Sequence, residues 1–389
     1  MVPVHRALAV LLRAAATGHP PDPHGLPRLD ERDLSALGSA ILEHRLAVAV
    51  APICSALPAL APLTPTLDDI ARRHRRRMQG MLLELRCVLA ALEQASVSVI
   101  VLKGAALAHV FGKPRFFSDL DVLVPRSDLD RATAELESLG YVAGRVTRSS
   151  EFYERHHFHR VLRSPAGITL ELHWALVRPS DYFSLEPEGV RSRAQCTAFD
   201  GGAMHVPCHS DQLLHAAQQA LREGFSDARR VLDADLLLRA GAADDPDLAA
   251  RARLGGLSNS LWVLLSLTGS ITGLGAPDLR EALRPTRLRQ RSLEALDLPA
   301  LLLERRSVHL TGLTAWLLLL CAPGMDVAGR ALGRAIFPGE RGLLEDGYVP
   351  EKPPGPLHRA RLSMKRMGRT VKLAAYQTWR LCAHRRAPS

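Results

Sequence analysis

Ser118-Asp119-Leu120-Asp121-Val122-Leu123-Val124 alternates polar and apolar side chains with the two-residue period of a β-strand. The alternation sends Asp119 and Asp121 to one face and Leu120, Val122 and Val124 to the other. Two ionised carboxylates side by side repel, and partial burial raises their pKa values unless a cation lies between them. Carboxylate oxygens are hard ligands suited to Mg²⁺, whose shell waters and substrate phosphates complete. A polar strand face, or two aspartates at a sheet edge, is the plainer reading of this motif taken alone.

Fifty residues on, Ile168-Thr169-Leu170-Glu171-Leu172-His173-Trp174 alternates in the same way, with Thr169, Glu171 and His173 on one face. It is expected to be a neighbouring strand, which makes Glu171 a third carboxylate. Three convergent carboxylates could hold two Mg²⁺ ions, one activating an attacking oxygen and one stabilising a triphosphate leaving group. In the other direction, the apolar run Val97–Leu102 ends at Lys103-Gly104, and a helix is predicted from Ala105 to Phe111. A glycine between strand and helix lets the backbone approach an anion, and the helix N-terminus offers free N–H groups to phosphate. Lys103 or Arg115 could neutralise the phosphates directly. Lysine is informative in this chain, because 45 of its 50 basic residues are arginine and only Lys103 and Lys113 precede residue 351.

Around this centre the patterning predicts an ordered series. A long amphipathic helix covers Asp68–Gln94, a strand Leu120–Val124, a helix Ser127–Leu139 and a short strand Tyr141–Val146. Phe158–Arg163 and Ile168–Trp174 form a hairpin about Ser164-Pro165-Ala166-Gly167, and Asp200-Gly201-Gly202 turns a second hairpin before Met204–Val206. Beyond Ser210, read as a helix cap, come helices at Gln212–Arg222 and Ala228–Ala240. The first 67 residues read as short helices joined by turns at Pro20-Pro21, Pro52, Pro58, Pro62 and Pro65. The expected division is a helical region 1–67, an α/β core 68–208, a helical domain 209–345 and a Pro-rich linker with a basic tail 346–389.

Lys103-Gly104, Arg115, Asp119-Leu120-Asp121-Val122-Leu123-Val124, Gly140-Tyr141 and Glu171-Leu172-His173-Trp174 together resemble the largely uncharacterised nucleotidyltransferase family of the DNA polymerase β-like superfamily. The resemblance extends to Asp211-Gln212-Leu213-Leu214-His215 and to a later helix with Arg229 and Asp233, covering roughly residues 80–240. It implies an α/β (α+β) fold, a polymerase β-like nucleotidyltransferase core with a small mixed sheet flanked by helical regions. It further implies a glycine turn that binds nucleotide phosphates, paired aspartates that bind metal and a third acid on a later strand, here Gly104, Asp119 with Asp121, and Glu171. Lys103, Gly104, Ala105, Arg115, Ser118 and His173 form the expected nucleotide-binding set, with two Mg²⁺ ions as cofactors and an NTP as co-substrate. The superfamily turn commonly carries Gly or Ser after its glycine; Ala105 stands there in this chain, leaving backbone N–H groups but no hydroxyl for phosphate.

Composition fits an ordinary folded protein, with 47% apolar and 23% charged residues, which disfavours a disordered, collagen-like or disulfide-stapled chain. The six cysteines include no CxxC pair and read as buried small residues. The N-terminal apolar run Ala7–Leu12 is cut by Arg13, so residues 1–18 read as an amphipathic helix rather than a signal peptide. With no apolar run near the ~18 residues of a membrane span, a cytoplasmic location is expected. Of the net charge of +10, +9 falls within residues 351–389. That tail reads as a solvated, partly helical segment, or as a contact for nucleic acid, an anionic membrane or an acidic partner.

The expected partners are an NTP and a small-molecule, peptide or RNA acceptor. Two alternatives stay open, a non-catalytic nucleotide- or RNA-binding module on the same fold, and a phosphoryl transferase acting on a peptide or small-molecule hydroxyl. His156, His157 and His159 invite a zinc reading, but no matching Cys or His pair lies nearby in sequence, so an exposed or acceptor-contacting basic strand is expected. His173 is placed to orient Glu171 or to meet substrate. Trp174, Trp262, Trp316 and Trp379 are read as packing residues, and Arg229 with Asp233 as an i,i+4 pair.

Overall fold

A computed structural model describes residues 3–113, 115–143, 157–179, 181–303, 317–336 and 364. Expectations for residues 144–146, His156, Trp316, Trp379 and the basic residues of the tail lie outside the described residues.

Helices α1 (Pro3–Thr17), α2 (Glu31–Glu43), α3 (Ala47–Ser55) and α4 (Thr64–Gln94) precede the sheet. Pro65 occupies the first turn of α4, where its fixed φ suits the helix and no N–H is needed, so α4 starts before the expected Asp68. Pro52, read as a break, lies inside α3. The missing hydrogen bond costs about 3 kcal/mol, and burial of Ala47, Val48, Val50, Ala51 and Cys54 offsets it.

Strand β1 (Ile100–Leu102) leads into α5 (Lys103–Phe111) and then β2 (Asp119–Leu123), α6 (Leu129–Ser138), β3 (Val142–Ala143), β4 (His159–Arg163) and β5 (Thr169–His173). The strand order is β1-β2-β5-β4-β3. β2 and β5 run parallel, with Asp119 opposite Thr169, Asp121 opposite Glu171 and Leu123 opposite His173. The other pairings are antiparallel, including the expected β4–β5 hairpin.

One face of this sheet is sealed. Leu120, Val122 and Val124, together with Leu170 and Leu172, join Met81, Leu85, Val88 and Leu92 of α4 and Leu129, Ala132 and Leu136 of α6 in one apolar cluster. Each such side chain contributes roughly 1.5–3 kcal/mol when fully buried. Because strand side chains alternate, fixing the apolar set against α4 and α6 turns Asp119, Asp121, Glu171 and His173 to the opposite face.

That opposite face meets helices from later in the chain. After α7 (Pro187–Ser192) and the hairpin β6 (Gln195–Phe199) with β7 (Gly202–Val206) come α8 (His209–Arg222), α9 (Arg229–Arg239), α10 (Leu248–Leu254) and α11 (Ser258–Thr272). Ser210 is not the cap of α8, which starts one residue earlier; its hydroxyl instead donates to Asp245 Oδ2 at 2.5 Å. A second apolar cluster joins Leu8, Leu11 and Leu12 of α1 to Leu213, Ala217 and Leu221 of α8, Val231 of α9 and Leu261 and Leu264 of α11. Helices from both ends of the described chain therefore build the body that faces the carboxylates. No helix among the described residues is long and apolar enough to cross a membrane.

Candidate active site

The parallel register sets Asp121 beside Glu171, and β1 brings Lys103 to both. Lys103 Nζ lies 2.5 Å from Asp121 Oδ1 and 3.6 Å from Glu171 Oε2. His173 Nε2 lies 2.9 Å from Asp121 Oδ1 and 3.2 Å from Glu171 Oε2. Lys103, Asp121, Glu171 and His173 thus form one linked group with Asp121 at its centre, only 3% exposed. Ser118 Oγ donates to Asp119 Oδ1 at 3.4 Å.

Environment separates the carboxylates. Burial pushes the Asp119 carboxyl above its usual range, and repulsion from Asp121 and Glu171 adds to this, with Lys103 only partly opposing. Burial acts on Asp121 in the same sense, but the Lys103 ammonium and the His173 hydrogen bond overcome it and hold Asp121 ionised far below the usual range. For Glu171, too, burial is overcome, chiefly by the His173 bond with help from Lys103, so it titrates low. Lys103 is pulled the other way: burial favours the neutral amine, yet Asp121 and Glu171 raise its pKa. The site holds an internal ion pair and one aspartate without adequate positive charge.

Two backbone features hold the turn. Lys103 adopts φ +51°, a left-handed conformation costing a non-glycine residue roughly 1–2 kcal/mol. A Cβ on Gly104 would collide with the Phe117 Cβ and come within 2.8 Å of Arg115 Nη1, so the close approach itself requires glycine. Ala105 is 1% exposed and its methyl lies in the apolar cluster, which accounts for the missing hydroxyl. The first N–H groups of α5 have no carbonyl partner within the helix and are what this turn offers an anion.

A cavity of about 420 Å³ opens over this group. Lys103, Gly104, Arg115, Ser118, Asp119, Asp121 and Glu171 line it from the sheet side, and Gln219, Arg222, Glu223, Arg229 and Arg230 from α8, α9 and the turn between them. Arg115, expected as a phosphate ligand, lines the cavity but is clamped by Asp233, with Nε 2.5 Å from Oδ1 and Nη2 2.6 Å from Oδ2. The expected Arg229–Asp233 pair is not formed. Arg229 Nη2 donates to Asp227 Oδ2 at 2.5 Å, and Asp233 receives Arg115 and, at 3.4 Å, Arg230 Nη1. The helix directs these side chains toward different neighbours, and the bidentate contact from Arg115 outcompetes a reversed i,i+4 pair.

Arg45, Arg222 and Arg230 at the cavity were not legible in the sequence, for arginine is too common in this chain to mark them, and nothing in the local pattern marks Glu223. His159, expected in an exposed or acceptor-contacting basic strand, is half-buried, with its ring centroid 5.0 Å from that of His173. Burial, followed by the neighbouring His173, lowers its pKa to about 3. His215, also buried, is kept neutral by burial and by nearby Lys103 and His173. Trp262 packs in the helical core as expected, and the half-buried Trp174 ring carries the Arg126 guanidinium at 4.5 Å.

A small mixed sheet with two aspartates on one strand, a third acid on its parallel neighbour and a glycine turn beside them defines a nucleotidyltransferase core. The family described as uncharacterised nucleotidyltransferase matches residues 30–273, more than half of the chain, and the protein belongs to it. Solved structures with partial similarity include ANT(2'')-Ia in complex with adenylyl-2''-tobramycin, at 14% identity and a TM-score of 0.35 over 44% of this chain and 97% of that one. An antigenic nucleotidyltransferase-like protein from Paracoccidioides brasiliensis shares 15% identity, with a TM-score of 0.30 over 51% of this chain and 89% of that one. JHP933 from Helicobacter pylori shares 13%, with a TM-score of 0.25 over 56% and 94%. No curated protein sequence matches the chain.

Proposed function

We propose that the protein is a Mg²⁺-dependent nucleotidyltransferase that moves a nucleoside monophosphate from an NTP to an acceptor hydroxyl or phosphate, with release of pyrophosphate. The observation that carries this reading is the convergence of Asp119, Asp121 and Glu171 on the open face of the sheet, at the floor of a cavity beside Gly104. The donor set tests whether a divalent cation fits: burial first, then repulsion from Asp121 and Glu171, raises the Asp119 carboxyl, and three carboxylates offering only oxygen suit Mg²⁺.

Asp119 and Asp121 would hold the metal, with Glu171 as a third ligand or as the base for the acceptor proton. When bound, Mg²⁺ supplies neutralisation of the developing phosphate charge. The rest falls to the chain. The α5 N-terminus and Gly104 receive triphosphate oxygens, and Lys103, already fully protonated, adds charge at the same edge. His173 holds Asp121 and Glu171 in one orientation, which limits the reorganisation needed when substrate arrives. Phosphoryl chemistry of this kind rests on positioning and charge more than on a special nucleophile.

The test is mass spectrometry of candidate metabolites, peptides and RNA incubated with each NTP and Mg²⁺. A nucleoside monophosphate increment on one acceptor is expected, lost in Asp119→Asn and Asp121→Asn. Turnover that persists in both variants would refute the assignment; a phosphate increment would make the protein a phosphoryl transferase instead.

A further inference from the structure

We propose that His159 and His173 join Glu171 in a mixed nitrogen and oxygen metal site on the β4–β5 hairpin, sharing Glu171 with the carboxylate group, that takes a borderline first-row cation of the Zn²⁺ type in preference to Mg²⁺. The site stands whether or not the chain transfers nucleotides. Its residues are brought together by register. His159 lies directly opposite His173 across β4 and β5, and Glu171 sits two residues before His173 on the same strand face. One donor atom from each of the three lies within 4.8 Å of the others.

Two edges of the triangle can be set beside those of a filled site. Zinc bonds of about 2.0–2.1 Å in a tetrahedron place neighbouring ligands roughly 3.3 Å apart. His173 Nε2 is 3.2 Å from Glu171 Oε2, and His159 Nε2 is 3.9 Å from Glu171 Oε1. Side-chain rotation of a few tenths of an ångström would close the second edge. Asp121 Oδ1 lies 2.9 Å from His173 Nε2, so a further oxygen borders the group.

The His173 side chain is 1% exposed, so a cation held there would be shielded from water. Donor chemistry sets its class. Two imidazoles and one carboxylate suit Zn²⁺, Co²⁺ or Fe²⁺, whereas Mg²⁺ takes an oxygen shell. The Lys103 ammonium, 3.6 Å from Glu171 Oε2, is the cation that an incoming metal would displace from that edge.

Co²⁺ added to the full chain should give visible d–d bands that millimolar Mg²⁺ does not bleach. His159→Gln should weaken Co²⁺ binding beyond the ~10–100-fold that loss of an outer-shell partner costs. Asp119→Asn should leave it intact. Equal Co²⁺ affinity in wild type and His159→Gln, or bleaching by Mg²⁺, would overturn the site. Zinc-edge X-ray absorption on the wild-type protein provides a reading independent of any variant's folding: two imidazole nitrogens support the proposal, and an all-oxygen shell ends it. None of these readouts depends on nucleotide turnover.

Discussion

Asp119 and Asp121 are two residues apart on one strand face, yet their environments predict opposite effects of the same substitution on stability. Asp121→Asn removes the counter-charge that lies 2.5 Å from Lys103 Nζ in a site where Asp121 is 3% exposed and Lys103 20%. Breaking a buried pair by neutralising one partner costs about 3–5 kcal/mol. Glu171, 3.6 Å from the same ammonium, stays in place, and asparagine can still accept from His173, so the lower end, about 3 kcal/mol, is expected. Asp119→Asn does the reverse, because it deletes a charge that burial, Asp121 and Glu171 all disfavour. That variant should be as stable as wild type or slightly more so. The assay is urea unfolding followed by circular dichroism near neutral pH in the absence of divalent cations. Mg²⁺ should then invert the order for Asp119. At about 100 times its dissociation constant a bound ion adds about 2.7 kcal/mol, a gain wild type should show and Asp119→Asn should largely lose. An Asp121→Asn protein no less stable than Asp119→Asn in metal-free buffer would refute the charge assignment at this site.

Acid supplies another check. Asp121 has a depressed folded pKa, so its stabilisation is present above the unfolded value of about 3.9 and is lost as pH falls below it; the stability gap between wild type and Asp121→Asn should narrow below about pH 4 in acid-unfolding curves. Gly104→Ala should lower stability by about 1–3 kcal/mol, the usual cost of overpacking, because its methyl would meet Phe117 and Arg115; thermal unfolding at wild-type temperature would contradict the close approach. Asp233→Asn should cost about 3 kcal/mol in urea by stranding the buried Arg115 guanidinium. If Arg115 instead serves chiefly as a phosphate ligand, the variant would keep wild-type stability and show only a raised KM for NTP.

The parts of the fold that could be read in the sequence are those fixed by local period. Alternation in 118–124 and 168–174 assigns Asp119, Asp121 and Glu171 to strand faces without knowledge of neighbours, and burial of Leu120, Val122, Leu170 and Leu172 enforces that assignment. What local period cannot state is which strands adjoin. The parallel β2–β5 pairing that sets Asp121 beside Glu171 is a tertiary choice, as is the contact between Arg115 and Asp233 across 118 residues. Lys103 shows the consequence. Its place beside Gly104 singled it out for phosphate, but its ammonium is held by Asp121 and Glu171, whose positions relative to β1 no spacing rule supplies.

His159 is a different case, because one residue of turn length decides which side chain it faces. A turn of residues 164–167 between Arg163 and Ile168 would set His159 opposite Leu172; Ser164 N–H instead donates to Ile168 O and Arg163 pairs with Thr169, which puts His159 opposite His173 on the face that carries Glu171. Metal ligands on antiparallel strands are set by turn length rather than by sequence interval.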